Sequence, residues 1–149
     1  MKNYKTIKGL HRAYNDGRIS KDDMEKQLFM LYISNDNMVN TQESYELFNE
    51  IENTLFIDED DINDFNALPD TVTLYRGQNT EDLDGISWTT DYEIAKQFAL
   101  RHKMSIKDVG VGVLMVEIPK TDIKAYTNNR NEKECIITNS SNSEWVEYW

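Results

Sequence analysis

Apolar positions recur every three to four residues over the first third of the chain, and close to every second residue over much of the rest. Tyr4, Ile7, Leu10 and Tyr14 fall on one side of a helix that Asn15-Asp16-Gly17 stops. Ser20 followed by Asp23 resembles a capping box. It opens a second helix with the stripe Met24, Leu28, Leu31 and Tyr32, ending between Ser34 and Asn37. A third helix begins near Asn40, with Glu43 three residues on, and carries Tyr45, Phe48, Ile51 and Leu55 inward. Three helices are therefore expected before any strand, and their aromatic and Met side chains read as packing.

After Leu68-Pro69-Asp70 the period changes. Val72, Leu74 and Arg76 alternate with Thr73 and Tyr75 in a strand that stops at Gly77, and residues 78–85 form a polar loop. Residues 86–90 form a short strand with Ser87 and Thr89 on one face. Trp88 takes the other, where it serves the core or a stacking surface. Thr90 or Asp91 then caps a helix through Ile94, Ala95, Phe98 and Ala99 to about His102. Residues 113–118 are a strongly apolar strand, flanked by Gly110, Gly112 and Pro119, and residues 123–126 are a further short one. A polar loop, 127–131, leads into Glu132-Lys133-Glu134 and the apolar run Cys135-Ile136-Ile137-Thr138. On a strand this puts Glu132 and Glu134 on one face about 7 Å apart, with Lys133 turned away. A last strand covers residues 144–149. These elements predict one α+β domain over 1–149, helical in 1–68 and mostly β in 69–149.

Composition narrows the function classes. A formal charge of −11, from 27 acidic against 16 basic residues, leaves no broad electrostatic footprint for a phosphate backbone, so direct nucleic-acid binding is disfavoured. Neither a secretory leader nor an apolar run of membrane-spanning length is visible, and the one cysteine, Cys135, can form no internal disulfide. A cytoplasmic protein is expected, with Cys135 an inert core residue. His11 and His102 lack a second ligand at metal spacing, so no metal site is expected. Asp58, Glu59, Asp60, Asp61 and Asp64 lack the central glycine and terminal Glu of a calcium loop and read as a solvated turn.

Two features carry candidate chemistry. The paired carboxylates are either a solvated pair at a strand mouth or a device for chemistry at a sugar C1. In that second role one stabilises an oxocarbenium-like transition state while the other handles a proton. Arg76, at a strand end, wants either a structural salt bridge or the phosphate or carboxylate of a ligand.

In chain order, Tyr75-Arg76-Gly77, Ser87-Trp88-Thr89 and Glu132-Lys133-Glu134 resemble the Arg-Ser-Glu signature of the toxin-like mono-ADP-ribosyltransferases. The likeness spans residues 74–137 and includes the aromatic before the Arg, the helix after the Ser strand and the aliphatics after the second Glu. It departs at Trp88-Thr89, where many members have Thr-Ser. The resemblance implies a split β core preceded by helices, with NAD as co-substrate and no metal. Arg76 would hold a diphosphate or ribose oxygen, next to Tyr75, and the backbone of Gly77 would meet the nicotinamide amide. Ser87 would orient Glu134, with Thr89 in support, and Glu134 would bind the ribose 2′-hydroxyl and stabilise the cationic transition state. Glu132 would engage an acceptor arginine, whose pKa above ~12 calls for a neighbouring carboxylate. The implied activity is transfer of ADP-ribose from NAD to an arginine of a target protein, in keeping with a phage or bacterial effector. An NAD glycohydrolase, or a catalytically silent binding or inhibitor protein on the same fold, are the other readings.

Overall fold

A computed structural model describes residues 2–34, 41–81, 85–105 and 109–149. Helix α1 (Ile7–Asn15) starts where the Thr6 side chain accepts a hydrogen bond from the Gly9 N–H, and it buries Ile7, Leu10 and Ala13. Helix α2 (Lys21–Ser34) opens on Ser20, whose Oγ accepts from the Asp23 N–H at 3.1 Å. Asp22 and Asp23 in its first turn suit the positive end of the helix dipole. Helix α3 (Gln42–Asn49) is capped by Thr41; the start expected at Asn40 lies outside the described residues. Phe48 and Ile51 are buried as expected, but Tyr45 faces outward. Leu55 belongs to no helix. It forms, with Phe56, the short strand β1 (Leu55–Phe56), so a strand follows α3 directly.

The acidic stretch is not a solvated turn. Asp58 caps a fourth helix, α4 (Glu59–Asn66), and Glu59, Asp60 and Asp61 occupy its first turn, where carboxylates stabilise a helix. Asp61 is 2% exposed and Phe65 is buried, which anchors α4 to the sheet.

The remaining elements are β2 (Thr71–Asn79), β3 (Ser87–Thr89), α5 (Tyr92–Ser105), β4 (Val111–Pro119), β5 (Ala125–Thr127), β6 (Glu134–Ile136) and β7 (Glu144–Tyr148), with a 3-10 turn at Lys120–Asp122. The first of these strands runs past Gly77 to Asn79, because β4 pairs with it from Thr71 opposite Pro119 to Asn79 opposite Val111. Among the described residues the architecture is α+β, five α-helices with a mixed seven-stranded sheet in the order β1-β5-β6-β3-β2-β4-β7. Among the described residues only the β1/β5 pairing is parallel. The sheet is continuous, not divided, but its two halves join through one residue pair, Tyr75 opposite Thr89.

Three apolar clusters are formed among the described residues; the smallest seats Ala95 and Ala99 of α5 on Val111 and Val113 of β4, and the two larger hold the layers together. One unites α1, α2 and α3 with Ile86, Ala125 and Ile136 of the sheet side, and the Phe48 ring meets those of Phe29 and Tyr32 edge-on. The other gathers Val72, Leu74, Trp88, Leu114, Val116 and Ile118 with Phe65 of α4. Trp88 is a core residue, 2% exposed, with its indole N–H donated to the Gly85 carbonyl. Helix α5 lies directly on β2. A Cβ on Gly77 would sit 1.9 Å from the Ala95 carbonyl oxygen, so glycine is what permits that approach. No helix among the described residues is long and apolar enough to cross a membrane.

Candidate active site

At the narrow joint between the two halves of the sheet lies a cleft of about 410 Å³, within the range of small-molecule sites. Tyr75, Arg76 and Gly77 of β2 line it, together with Ser87 and Thr89 of β3 and Glu132 and Glu134. Arg76, Ser87 and Glu134, separated by 11 and 47 positions of sequence, meet because β3 pairs with both β2 and β6.

The centre is a short contact. Ser87 Oγ donates to Glu134 Oε2 at 2.6 Å, fixing the carboxylate on the strand opposite. Arg76 is held from two sides: its Nε donates to Gln78 Oε1 and its Nη1 to the Ser87 carbonyl, each at 2.8 Å. These two bonds fix the guanidinium in the wall of the cleft.

Glu132 reaches the cleft by a different route from the one strand periodicity suggests. Strand β6 begins only at Glu134, and Glu132 sits between two left-handed residues, Asn131 (φ 57) and Lys133 (φ 46). Asparagine tolerates that conformation, but for lysine it costs about 1 kcal/mol or more, so surrounding bonds must impose it. They are present: Thr89 Oγ1 donates to the Glu132 carbonyl at 2.7 Å, and the Lys133 N–H donates to Asn128 Oδ1 at 3.0 Å. Thr89 thus supports the loop through its side chain while its backbone pairs with Glu134 across the sheet.

Burial pushes the Glu134 pKa up, and the charge of Glu132 adds to this, while the Ser87 hydrogen bond and the cations Arg130 and Arg76 act against it. The net direction is upward. A carboxylate held between these pulls is strongly responsive to positive charge placed beside it, since desolvation magnifies any such interaction.

Four lining residues carried no functional signal. Phe98 and His102 share a face of α5 with Ala95, at spacings of three and four, a pattern that marks a wall of the cleft once α5 is known to cover Gly77. The lack of a second metal ligand marks His102 as an ordinary histidine in the sequence and gives no hint of this. Arg130 lies two residues before Glu132 and donates to the Ile33 carbonyl at the end of α2. Tyr32, read only as packing, lines the cleft from α2. Its buried hydroxyl lies beside Ser87 without reaching good hydrogen-bond geometry, and its pKa is driven up by burial first and the charge of Glu134 second, against the pull of Arg76 and Ser87, so it stays protonated. Cys135 is fully buried and its thiol is likewise pushed up by burial, which disfavours the thiolate a nucleophile needs. Among the described residues no group of three or more His, Cys, Asp or Glu is arranged to hold a metal ion.

Comparison with protein-family models, with curated proteins and with solved structures found no match.

Proposed function

We propose that this protein is an arginine-directed mono-ADP-ribosyltransferase, built on that family's fold, with NAD as co-substrate. One observation carries the reading: a half-buried carboxylate, Glu134, oriented by Ser87 at 2.6 Å, shares a cleft with a second carboxylate, Glu132, and an anchored arginine, Arg76. The donor set suits a dinucleotide. Arg76 and Arg130 bring positive charge to the cleft, which suits a diphosphate, and Tyr75 and Phe98 bring aromatic side chains to its wall, which suit a flat ring.

The chemistry follows from where charge develops. As the bond between ribose C1′ and the nicotinamide nitrogen breaks, its electron pair leaves with the neutral ring and positive charge grows on the ribose. Glu134 stabilises that charge, and its low-dielectric setting strengthens the effect. A guanidinium nitrogen of the acceptor then bonds to C1′ and its proton passes to Glu132, which leaves neutral nicotinamide and a modified arginine. The acceptor is an arginine-bearing protein. With water as acceptor the same site is an NAD glycohydrolase.

The test is incubation with NAD labelled in the ADP-ribose part and agmatine as an arginine analogue. Released nicotinamide and labelled agmatine are quantified together. Both products are expected in equal amounts beyond a slow hydrolytic background. Release of neither would reject the proposal.

A further inference from the structure

Asp61 is a buried carboxylate from the N-terminal part of the chain, yet both of its oxygens are spent on a loop more than sixty residues away. Its Oδ2 accepts from Thr127 Oγ1 at 2.8 Å and its Oδ1 from the Asn128 N–H at 2.9 Å. Asp61 is itself fixed, because its own N–H donates to Asp58 Oδ1 at the start of α4. From this anchor the bonds run onward through the loop. Thr127 Oγ1 accepts from the Asn129 N–H, the Asn128 carbonyl from the Asn131 N–H, and Asn128 Oδ1 from the Lys133 N–H. Asn131 and Lys133 are the left-handed residues that flank Glu132. The conformation of Glu132 is therefore set through a hydrogen-bonded path whose root is Asp61.

Glu134 shares Thr127 with this path, as its neighbour across the sheet, but it is also held by its pairing with Thr89 and by Ser87, which fixes its carboxylate, and neither of these runs through Asp61. Loosening the loop would displace Glu132 and leave Glu134 in place.

We infer that Asp61 is a positioning residue that latches the loop bearing Glu132, and that it thereby governs transfer to the acceptor without governing cleavage of the nicotinamide bond. The inference rests on the transferase reading above for its catalytic half. Its structural half stands on the hydrogen bonds alone.

Two readouts on the full chain test it. In Asp61→Ala, amide hydrogen exchange is expected to quicken across residues 128–133 while β2 and β4 keep their protection. Transfer to agmatine should fall about tenfold or more, as expected when a reacting group is misplaced by about an ångström, with nicotinamide release in the absence of agmatine changed less than about twofold. Asp61→Asn retains an oxygen for the Asn128 N–H and an amide for the Thr127 hydroxyl, so it should restore most of the transfer. Should Asp61→Ala fail to fold, Thr127→Val removes one of the two donors and should give the same pattern in weaker form. Unchanged exchange in residues 128–133 would overturn the latch whatever the activity. Parallel loss of transfer and hydrolysis would overturn its selectivity for transfer. A wild-type protein that releases no nicotinamide would instead reject the transferase reading, with the exchange result still deciding whether the latch exists.

Discussion

Glu134 serves two opposed requirements. Burial favours its neutral form, whereas stabilising a cationic transition state requires the carboxylate. Because the folded-state pKa lies above the unfolded one, the folded protein binds the proton more tightly between the two values. Stability therefore falls as pH climbs through that window and stays lower above it. Glutamine at this position cannot ionise, so Glu134→Gln is expected to raise the melting temperature at neutral pH relative to wild type. The same variant should lose nicotinamide release while keeping NAD affinity, measured by calorimetry, because the carboxylate acts on charge that appears only in the transition state. In the wild type the acid limb of the turnover profile should sit above the ordinary carboxylate range; a limb at about pH 4 would contradict the assignment. Glu132→Gln should behave differently, losing transfer to agmatine while slow NAD hydrolysis persists. Retained transfer would exclude the acceptor role of Glu132.

At the scale of elements, the contact between α5 and β2 decides the shape of the cleft. Gly77→Ala would drive a methyl group into the Ala95 carbonyl, and a backbone oxygen cannot swing aside as a side chain can. The whole helix must shift, at a cost of about 3 kcal/mol. A fall in melting temperature of roughly 6–12 °C is expected, with weakened NAD binding because α5 also carries Phe98 and His102. An unchanged melting temperature would show that α5 is not seated on Gly77. Much of this layout is legible from the strand period: Arg76, Ser87 and Trp88 fall on elements whose alternation is clear, and Trp88 packs inward as its position implies. Glu132 was placed at the site by a periodicity it does not obey, since two left-handed residues, not a strand, turn it there. Helix α4 was hidden because its first turn is almost wholly acidic, and those acids stabilise it through the dipole instead of marking a solvated turn. Strand β1 is two residues long and pairs in parallel, too short for any period to show. Tyr32 sits in an apolar helical stripe, and nothing in that stripe distinguishes a side chain at a cleft from one in the core.

Across the whole molecule, the helical part and the sheet are not separable bodies by their packing. The cluster that buries α1, α2 and α3 is completed by Ile86, Ala125 and Ile136, and Leu55 and Phe56 add an edge strand to β5. Strand β6 stands between the clusters, with Ile136 in one and Cys135 in the other. Losing either cluster would expose one face of the strand that carries Glu134. Each fully buried aliphatic or aromatic side chain is worth about 1.5–3 kcal/mol, so withdrawing even two shared residues costs an amount comparable to the lower end of a domain's net stability, about 5 kcal/mol. One cooperative transition is therefore expected, with the calorimetric and van't Hoff enthalpies equal and far-UV and near-UV signals melting together. The candidate site should be lost in that same transition, since its walls come from both parts: Tyr32 from α2, Arg76 and Ser87 from the sheet. An N-terminal transition separated from that of the sheet would show that the helices form an independent unit, and Tyr32 would then be an accessory to the cleft and not part of its wall.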